Sequence, residues 1–290
     1  MIETAWLRAF ASFSEDANMS RAARRLHLSQ PAVHAQLKRL SEELGVPLYR
    51  RSGRGLVLTS HGTEVAAFAR EYEERLRDLA ARLAGEEQEG HVVLAAGAGS
   101  LLYIVGEGLR AFAQQRKTRL ELLTVDAPAA MEAVRSGLAH VGVGTMASNV
   151  EGLDVRPLTN VEQVAVFRKD HPLARKRRIS ISDLAGQVMV LPPAGRPHRM
   201  MVESALQATG VSVKLGAVAA GWELALKLVE LGFGTAIVNA CCRMPRGLVT
   251  RTLSELPPVR FVAFTRKRPS ANAVRLVRTL ESEGEAWRRR

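Results

Sequence analysis

Cysteine is nearly absent: two in 290 residues, adjacent at Cys241 and Cys242. Neighbouring cysteines rarely bridge each other, because the eight-membered ring is strained. There is thus no disulfide framework, and no zinc-ligand spacing. Aromatic residues make up only 5% of the chain, so the cores are expected to be aliphatic. No run of eighteen apolar residues occurs, and no transmembrane helix or membrane partner is expected. The opening stretch carries Glu3 and Arg8 where a secretory signal needs unbroken apolar sequence, so the expected location is the cytoplasm. GxSxG, a Walker loop and a GxGxxG after a strand are also missing. No catalytic residue, metal site or cofactor is therefore assigned, and an enzyme is disfavoured.

The formal net charge is +12, which suggests a polyanionic partner. Its distribution tempers that reading. Residues 1 to 90 hold 13 Lys+Arg and 13 Asp+Glu, so the whole excess lies beyond them. A non-specific nucleoid protein would place the excess on its DNA-binding part. Any nucleic-acid assignment must rest on a motif.

The first 60 residues read as three short helices and a hairpin. Glu3 to Ser14 has one apolar face, and Ser20 can cap a second helix from Arg21 to His27. Ser29 can cap a third, with Pro31 in its first turn, where a missing N–H does no harm. Its stripe of Val33, Leu37, Leu40 and Leu44 points inward, which leaves Gln30, His34, Lys38 and Arg39 outside. Pro47 to Arg51 and Gly55 to Leu58 read as the strands of a basic-tipped wing. From Ser60 to Ala84, Val65, Phe68, Tyr72, Leu76, Leu79 and Leu83 recur at spacings of three and four. This long helix suits helix–helix dimerisation, with packing against its own domain as the alternative. Gly85 to Gly90 reads as a hinge.

After residue 90, strands alternate with helices, which implies a mostly parallel sheet in one doubly wound domain or two small ones. Strands are expected at 92–96, 120–125, 140–144, 164–168, 188–191, 213–218, 235–238 and 261–265. Helices are expected at 101–115, 127–136, 196–208, 222–231 and 272–283.

Met19 to Leu40, with its alanine pair Ala22-Ala23 and its Ser29-Gln30-Pro31-Ala32 turn, resembles the helix-turn-helix of LysR-type transcriptional regulators. The resemblance continues through Leu44-Gly45-Val46-Pro47-Leu48 and Leu58-Thr59-Ser60-His61-Gly62. It implies an α/β protein overall. A winged helix-turn-helix (1–60) leads into a linker and dimerisation helix with its hinge (61–90). A two-subdomain domain like the periplasmic binding proteins (91–290) follows. Subdomain I is placed at 91–161 and 268–290, and subdomain II at 162–267.

The implied partners are double-stranded promoter DNA, a second copy of the chain in a dimer or tetramer, and a small-molecule effector. RNA polymerase is a further partner the resemblance admits. Ser29, Gln30, Pro31, His34, Gln36, Lys38 and Arg39 are the expected groove contacts, and Arg50, Arg51 and Arg54 those of the wing. Where the family often has Ser, this chain has His34, so its base preference at that point is its own.

Effectors of such folds sit between subdomains, at strand C-termini and helix N-termini. Ser100, Leu101, Asp126, Arg196, His198, Gly221 and Trp222 are expected there. Ser100, Arg196, His198 and clustered helix N-termini favour an anion, a small carboxylate or phosphate ester. Each has a bland alternative: capping for Ser100, a solvated charge for Arg196, core packing for Trp222. Cys241-Cys242 invites a redox reading, weighed against two small buried hydrophobes. A solute-binding protein fits the later fold but lacks a signal peptide. A molybdate-type regulator would need a β-barrel ligand domain, which the α/β rhythm contradicts.

Overall fold

The computed structural model describes residues 1–53, 55–83, 90–115, 118–145 and 151–288. Of the hinge expected at Gly85 to Gly90, residues 85–89 lie outside the described residues, as does the tip residue Arg54, and Gly90 already opens a strand.

The chain opens with helices α1 (Thr4–Phe13), α2 (Met19–Leu26) and α3 (Gln30–Leu44). Trp6, Phe10 and Phe13 of α1 pack with Ala22 and Ala23 of α2 and with Val33, Leu37 and Leu40 of α3. The small alanines let α2 approach its neighbours closely. Helix α2 starts earlier than expected: Asn18 is still extended, and its side chain accepts the Arg21 N–H at 3.0 Å. Ser20 is therefore already inside the first turn and does not cap; its hydroxyl donates to Gln30 Oε1 at 3.0 Å. Ser29 caps α3 as expected, accepting the Ala32 N–H at 3.2 Å, and Gly45 ends it in the left-handed region. Strands β1 (Tyr49–Ser52) and β2 (Gly55–Leu58) form the antiparallel wing. Helix α4 (Ser60–Leu83) then leaves the head.

The larger part begins with β3 (Gly90–Ala96), α5 (Ala98–Tyr103), α6 (Gly106–Gln115), β4 (Thr118–Thr124), α7 (Ala127–Arg135), β5 (Val141–Thr145) and β6 (Leu153–Val161). It continues through β7 (Gln163–Arg168), β8 (Val188–Leu191), α8 (Pro197–Ala208), β9 (Lys214–Val218), α9 (Trp222–Glu230), β10 (Thr235–Asn239) and β11 (Leu248–Thr252). Strand β12 (Val259–Arg266) and helix α10 (Ala271–Arg288) complete it. The strands form two five-stranded sheets, ordered β4-β3-β5-β12-β6 and β11-β7-β10-β8-β9. In each, four strands share one direction and one runs against them: β12 in the first sheet and β7 in the second. The expected mostly parallel character thus holds, with one reversed strand in each sheet.

Three other expectations need correction. The helix expected at 101–115 is two helices, because the chain turns at Ile104-Val105, where both N–H groups donate to the Ser100 carbonyl. Strands β6 and β11 are additions to the expected set. Both lie at sheet edges, where polar residues and Pro157 blur the period-two pattern. Strand β12 pairs with β5 and β6, so it belongs to the first sheet, although the sequence reading places residues up to 267 in the second subdomain. The chain crosses back before this strand.

Gly62 shows how tightly head and linker helix are joined. A Cβ there would overlap the Leu48 carbonyl oxygen and lie 2.9 Å from its carbon, with no flexible atom to give way. Gly62→Ala should destabilise the chain by about 1–3 kcal/mol, as overpacking does. Denaturant unfolding checks this; an unchanged midpoint would contradict the close approach.

Candidate nucleic-acid interface and inter-subdomain cleft

Helix α3 has two unlike faces. Val33, Leu37 and Leu40 have no exposed surface at all, while Ser29, Gln30, Pro31, His34, Lys38 and Arg39 are exposed and Gln36 is half-buried. The interior side fixes the helix about its own axis, so the polar side is presented as one ridge. The Gln30 side chain is held at its amide oxygen by the Ser20 hydroxyl. Lys38 pairs loosely with Glu42 at 3.6 Å, an exposed pair worth little that a phosphate can displace. Arg50 and Arg51 are exposed on the wing. Nearby, Arg25 serves the head: its Nε donates to Ser12 Oγ at 3.1 Å, and it pairs with Asp16. Burial pushes the Asp16 carboxyl up, but the bonds and charge of Arg25 and Arg21 more than offset this and hold it below its usual value.

Helix α4 also has two faces. Ala66 and Ala69 are fully buried, whereas Phe68, Leu76, Leu79 and Leu83 are exposed. Val65 packs partly against the head, and Tyr72 stacks on Phe68 at 6.4 Å.

Between the subdomains lies a cavity of about 370 Å³, lined by residues that include Gly97, Asp126, Pro193, Arg196 and Gly221. Asp126 caps α7 through the Ala129 N–H at 3.0 Å, and its other oxygen accepts from Arg196 Nη1 of the opposite subdomain at 2.6 Å. Arg196 is thus paired, and it holds the Asp126 carboxyl below its usual value. Gly221 opens α9 at φ +101°, and Trp222 then reaches across to the first subdomain. Its ring lies 6.2 Å from that of Tyr103 and 6.3 Å from that of Phe261. Burial, then the charge of Glu223 and a hydrogen bond to it, raise the Tyr103 phenol to about 12.

His198 does not play the part expected of it. Its Nε2 meets Gln163 Oε1 at 2.9 Å, and the Gln163 amide donates to the Pro257 carbonyl at 3.0 Å. Burial lowers the His198 imidazole to about 4, so it is neutral and supplies no charge to an anion. Gln163, fully buried where the chain crosses between subdomains, ties both crossing segments to α8. Nothing in the sequence pattern marks it. Leu101 also turns away: its side chain packs on the first subdomain's core, and its N–H donates to Gly97. Ser100 is buried. The hydrogen bond with Cys241, and then burial, push the Cys242 thiol up, so it is not a ready nucleophile.

A helix-turn-helix head with an outward polar ridge, joined by a long helix to a cleft between two α/β lobes, defines a ligand-controlled DNA-binding regulator. Two family models match: the bacterial regulatory helix-turn-helix protein of the lysR family over residues 4–63, and the LysR substrate binding domain over residues 85–284. The chain is 30% identical over 280 residues to the HTH-type transcriptional regulator TdfR of Cupriavidus pinatubonensis, covering 90% of this chain and 92% of that one. It is 29% identical to the RuBisCO operon transcriptional regulator of Allochromatium vinosum, over 80% and 78% of the two chains. A full-length OxyR variant from Pseudomonas aeruginosa shares the fold with a TM-score of 0.76 at 19% identity, over 98% of this chain and 95% of that one. The chain belongs to the LysR family of transcriptional regulators: it is a DNA-binding regulator with an effector-binding domain, not an enzyme.

Trp222 sits so close to α5 that a Cβ on Gly99 would fall 2.6 Å from its ring. Gly99→Ala should move the indole off the Tyr103 and Phe261 side of the cleft. Tryptophan emission, with Trp222→Phe as the spectral control, reads the shift; an emission spectrum identical to the parent's would contradict the packing.

Proposed function

We propose that α3 reads promoter DNA in the major groove, that α4 pairs two chains, and that the cleft takes a small anionic effector. What carries this reading is the division of α3 into a side with no solvent contact and a ridge formed by Gln30, Pro31, His34, Lys38 and Arg39. Gln30 and His34 have the donors and acceptors to address base edges. Lys38, Arg39, Arg50 and Arg51 suit phosphates. Arg54 at the wing tip belongs to the same proposal from sequence alone. The α3 N-terminus with Ser29 offers N–H groups to a phosphate.

The exposed apolar side of α4, from Phe68 through Leu76 and Leu79, supports a helix–helix dimer, and pairs of dimers give the tetramer of the family resemblance. Two heads then span repeated half-sites. The family and the lack of any described helix able to cross a membrane are consistent with a cytoplasmic protein.

For the effector, Arg196 and the N-termini of α8 and α9 supply the positive end of the cleft. Asp126 already occupies the N-terminus of α7, so an incoming anion competes with it for Arg196. A carboxylate that pairs bidentately with a guanidinium is suited to that exchange. Its binding loosens Asp126 from the opposite lobe and changes the lobe geometry, which is the allosteric step. RNA polymerase is a partner by family resemblance alone.

Two substitutions test the two ends of this reading. His34→Ala should relax base preference at one position by about 1–3 kcal/mol while costing random duplex little. Selection from a randomised duplex pool measures it, and equal loss on specific and random DNA would contradict a groove role. Leu76→Glu should convert dimer to monomer in sedimentation equilibrium; an unchanged mass would remove α4 from the interface.

A further inference from the structure

Helix α4 touches the effector domain through polar groups that neither the DNA ridge nor the cleft uses. Arg70 is at their centre. Its Nη2 donates to Ser14 Oγ at 2.6 Å, and its Nη1 donates to the Ser136 carbonyl. Ser14 is the C-cap of α1 in the head, and Ser136 is the C-cap of α7 in the first subdomain. One guanidinium on α4 therefore joins helix ends from the two domains.

One turn further along, Glu74 Oε1 meets His140 Nε2 at 3.2 Å, with the two side chains only 19% and 12% exposed. His140 is itself fixed. Its Nδ1 accepts the Val93 N–H, and its backbone N–H donates to the Val93 carbonyl, each at 2.9 Å. The ring proton thus sits on Nε2 and points at Glu74. Between the two contacts, Gly137 adopts φ +76°, and a Cβ there would crowd Arg266 Nη1 and touch Ala67 Cα at 3.5 Å.

The junction is largely buried and charged. Burial lowers the Arg70 guanidinium to about 10, with Glu15 opposing and Arg266 adding to the shift. Burial pushes the Glu74 carboxyl up, but the His140 bond, with Ser270 and Arg266 behind it, holds it below its usual value. Arg266 Nη1 is buried without a hydrogen bond.

Helix α7 connects this junction to the cleft. Its first end is capped by Asp126, which holds Arg196 of the second subdomain, and its last end is Ser136, held by Arg70. The nine residues between span about 14 Å. Ala130, Ala133 and Val134 fasten the helix to the first sheet, so its two ends move together.

We propose that Arg70 and Glu74 latch the linker helix and DNA-binding head to the first subdomain as one body, and so carry the cleft's signal to the head. Both act as positioning residues. The proposal rests on the reading of the cleft as the effector site. With the latch closed, a change in the Asp126–Arg196 bridge moves the second subdomain against a unit that includes the head. With the latch open, the head no longer follows.

Arg196→Met breaks the bridge at the cleft without needing the effector. The probe is a duplex selected from a random pool by the full-length parent, with binding and bending followed by anisotropy and end-to-end energy transfer. In the parent, Arg196→Met should change the Kd by about fivefold or more, the lower range of allosteric coupling. In Arg70→Met or Glu74→Gln backgrounds the same substitution should change it by less than about twofold, and Arg70→Lys should restore part of the response. A purely structural Arg70 would lower the melting temperature and leave the response intact. If Arg70→Met does not fold, Glu74→Gln, which leaves the Arg70 contacts in place, carries the test alone. An Arg196→Met response of equal size in the latch variants overturns the latch and spares the cleft reading. Silence of Arg196→Met in every background sinks the cleft reading, and the proposal with it.

Discussion

Everything this protein does with DNA depends on the burial of three side chains. Val33, Leu37 and Leu40 lie wholly inside the head, against Phe10 and Phe13 of α1 and the alanine pair of α2. Together they are worth several kcal/mol, since each buried aliphatic side chain contributes about 1.5–3 kcal/mol. That burial also sets the rotation of α3 about its axis. A helix has only one way to bury such a stripe, so Gln30, His34, Lys38 and Arg39 face outward by exclusion. The outward ridge is thus fixed by what is hidden.

The effector half repeats the logic with a softer constraint. Its two lobes meet through the ion pair of Asp126 with Arg196 and the aromatic contact of Trp222 with Tyr103 and Phe261. The ion pair is half exposed, so solvent screens it. The aromatic contact is apolar and does not depend on salt. Behind both, Gln163 ties the crossing segments together with His198. The cleft thus has a buried polar tie behind a solvent-screened mouth.

Much of this is legible in the sequence, for identifiable reasons. The head has strong local signals: Ser29 before Pro31, Gly45 after Leu44, and a stripe at helical spacing. Those signals act within a few residues, so they survive without tertiary knowledge. The cap at Asn18 is not separable from one at Ser20, because both residues can cap and only the backbone decides. Strands β6 and β11 escape notice because edge strands need not alternate, and β12 is misplaced because strand order is a long-range property. His198 illustrates the limit for sites. Its position at a helix start suggests a cation, but the deciding facts are burial and Gln163, thirty-five residues away in sequence. Arg70 and His140 carry no motif, since each matters only through partners brought together by folding.

The α3 ridge has to meet duplex DNA for the protein to act as a regulator. The most direct measurement is equilibrium binding of the full-length chain to a pool-selected duplex and to its scrambled counterpart across a range of salt. Selective binding by a factor of about 10³ or more, weakening steeply as salt rises, is the expected result. Equal affinity for both duplexes, or no binding even at low salt, would contradict it.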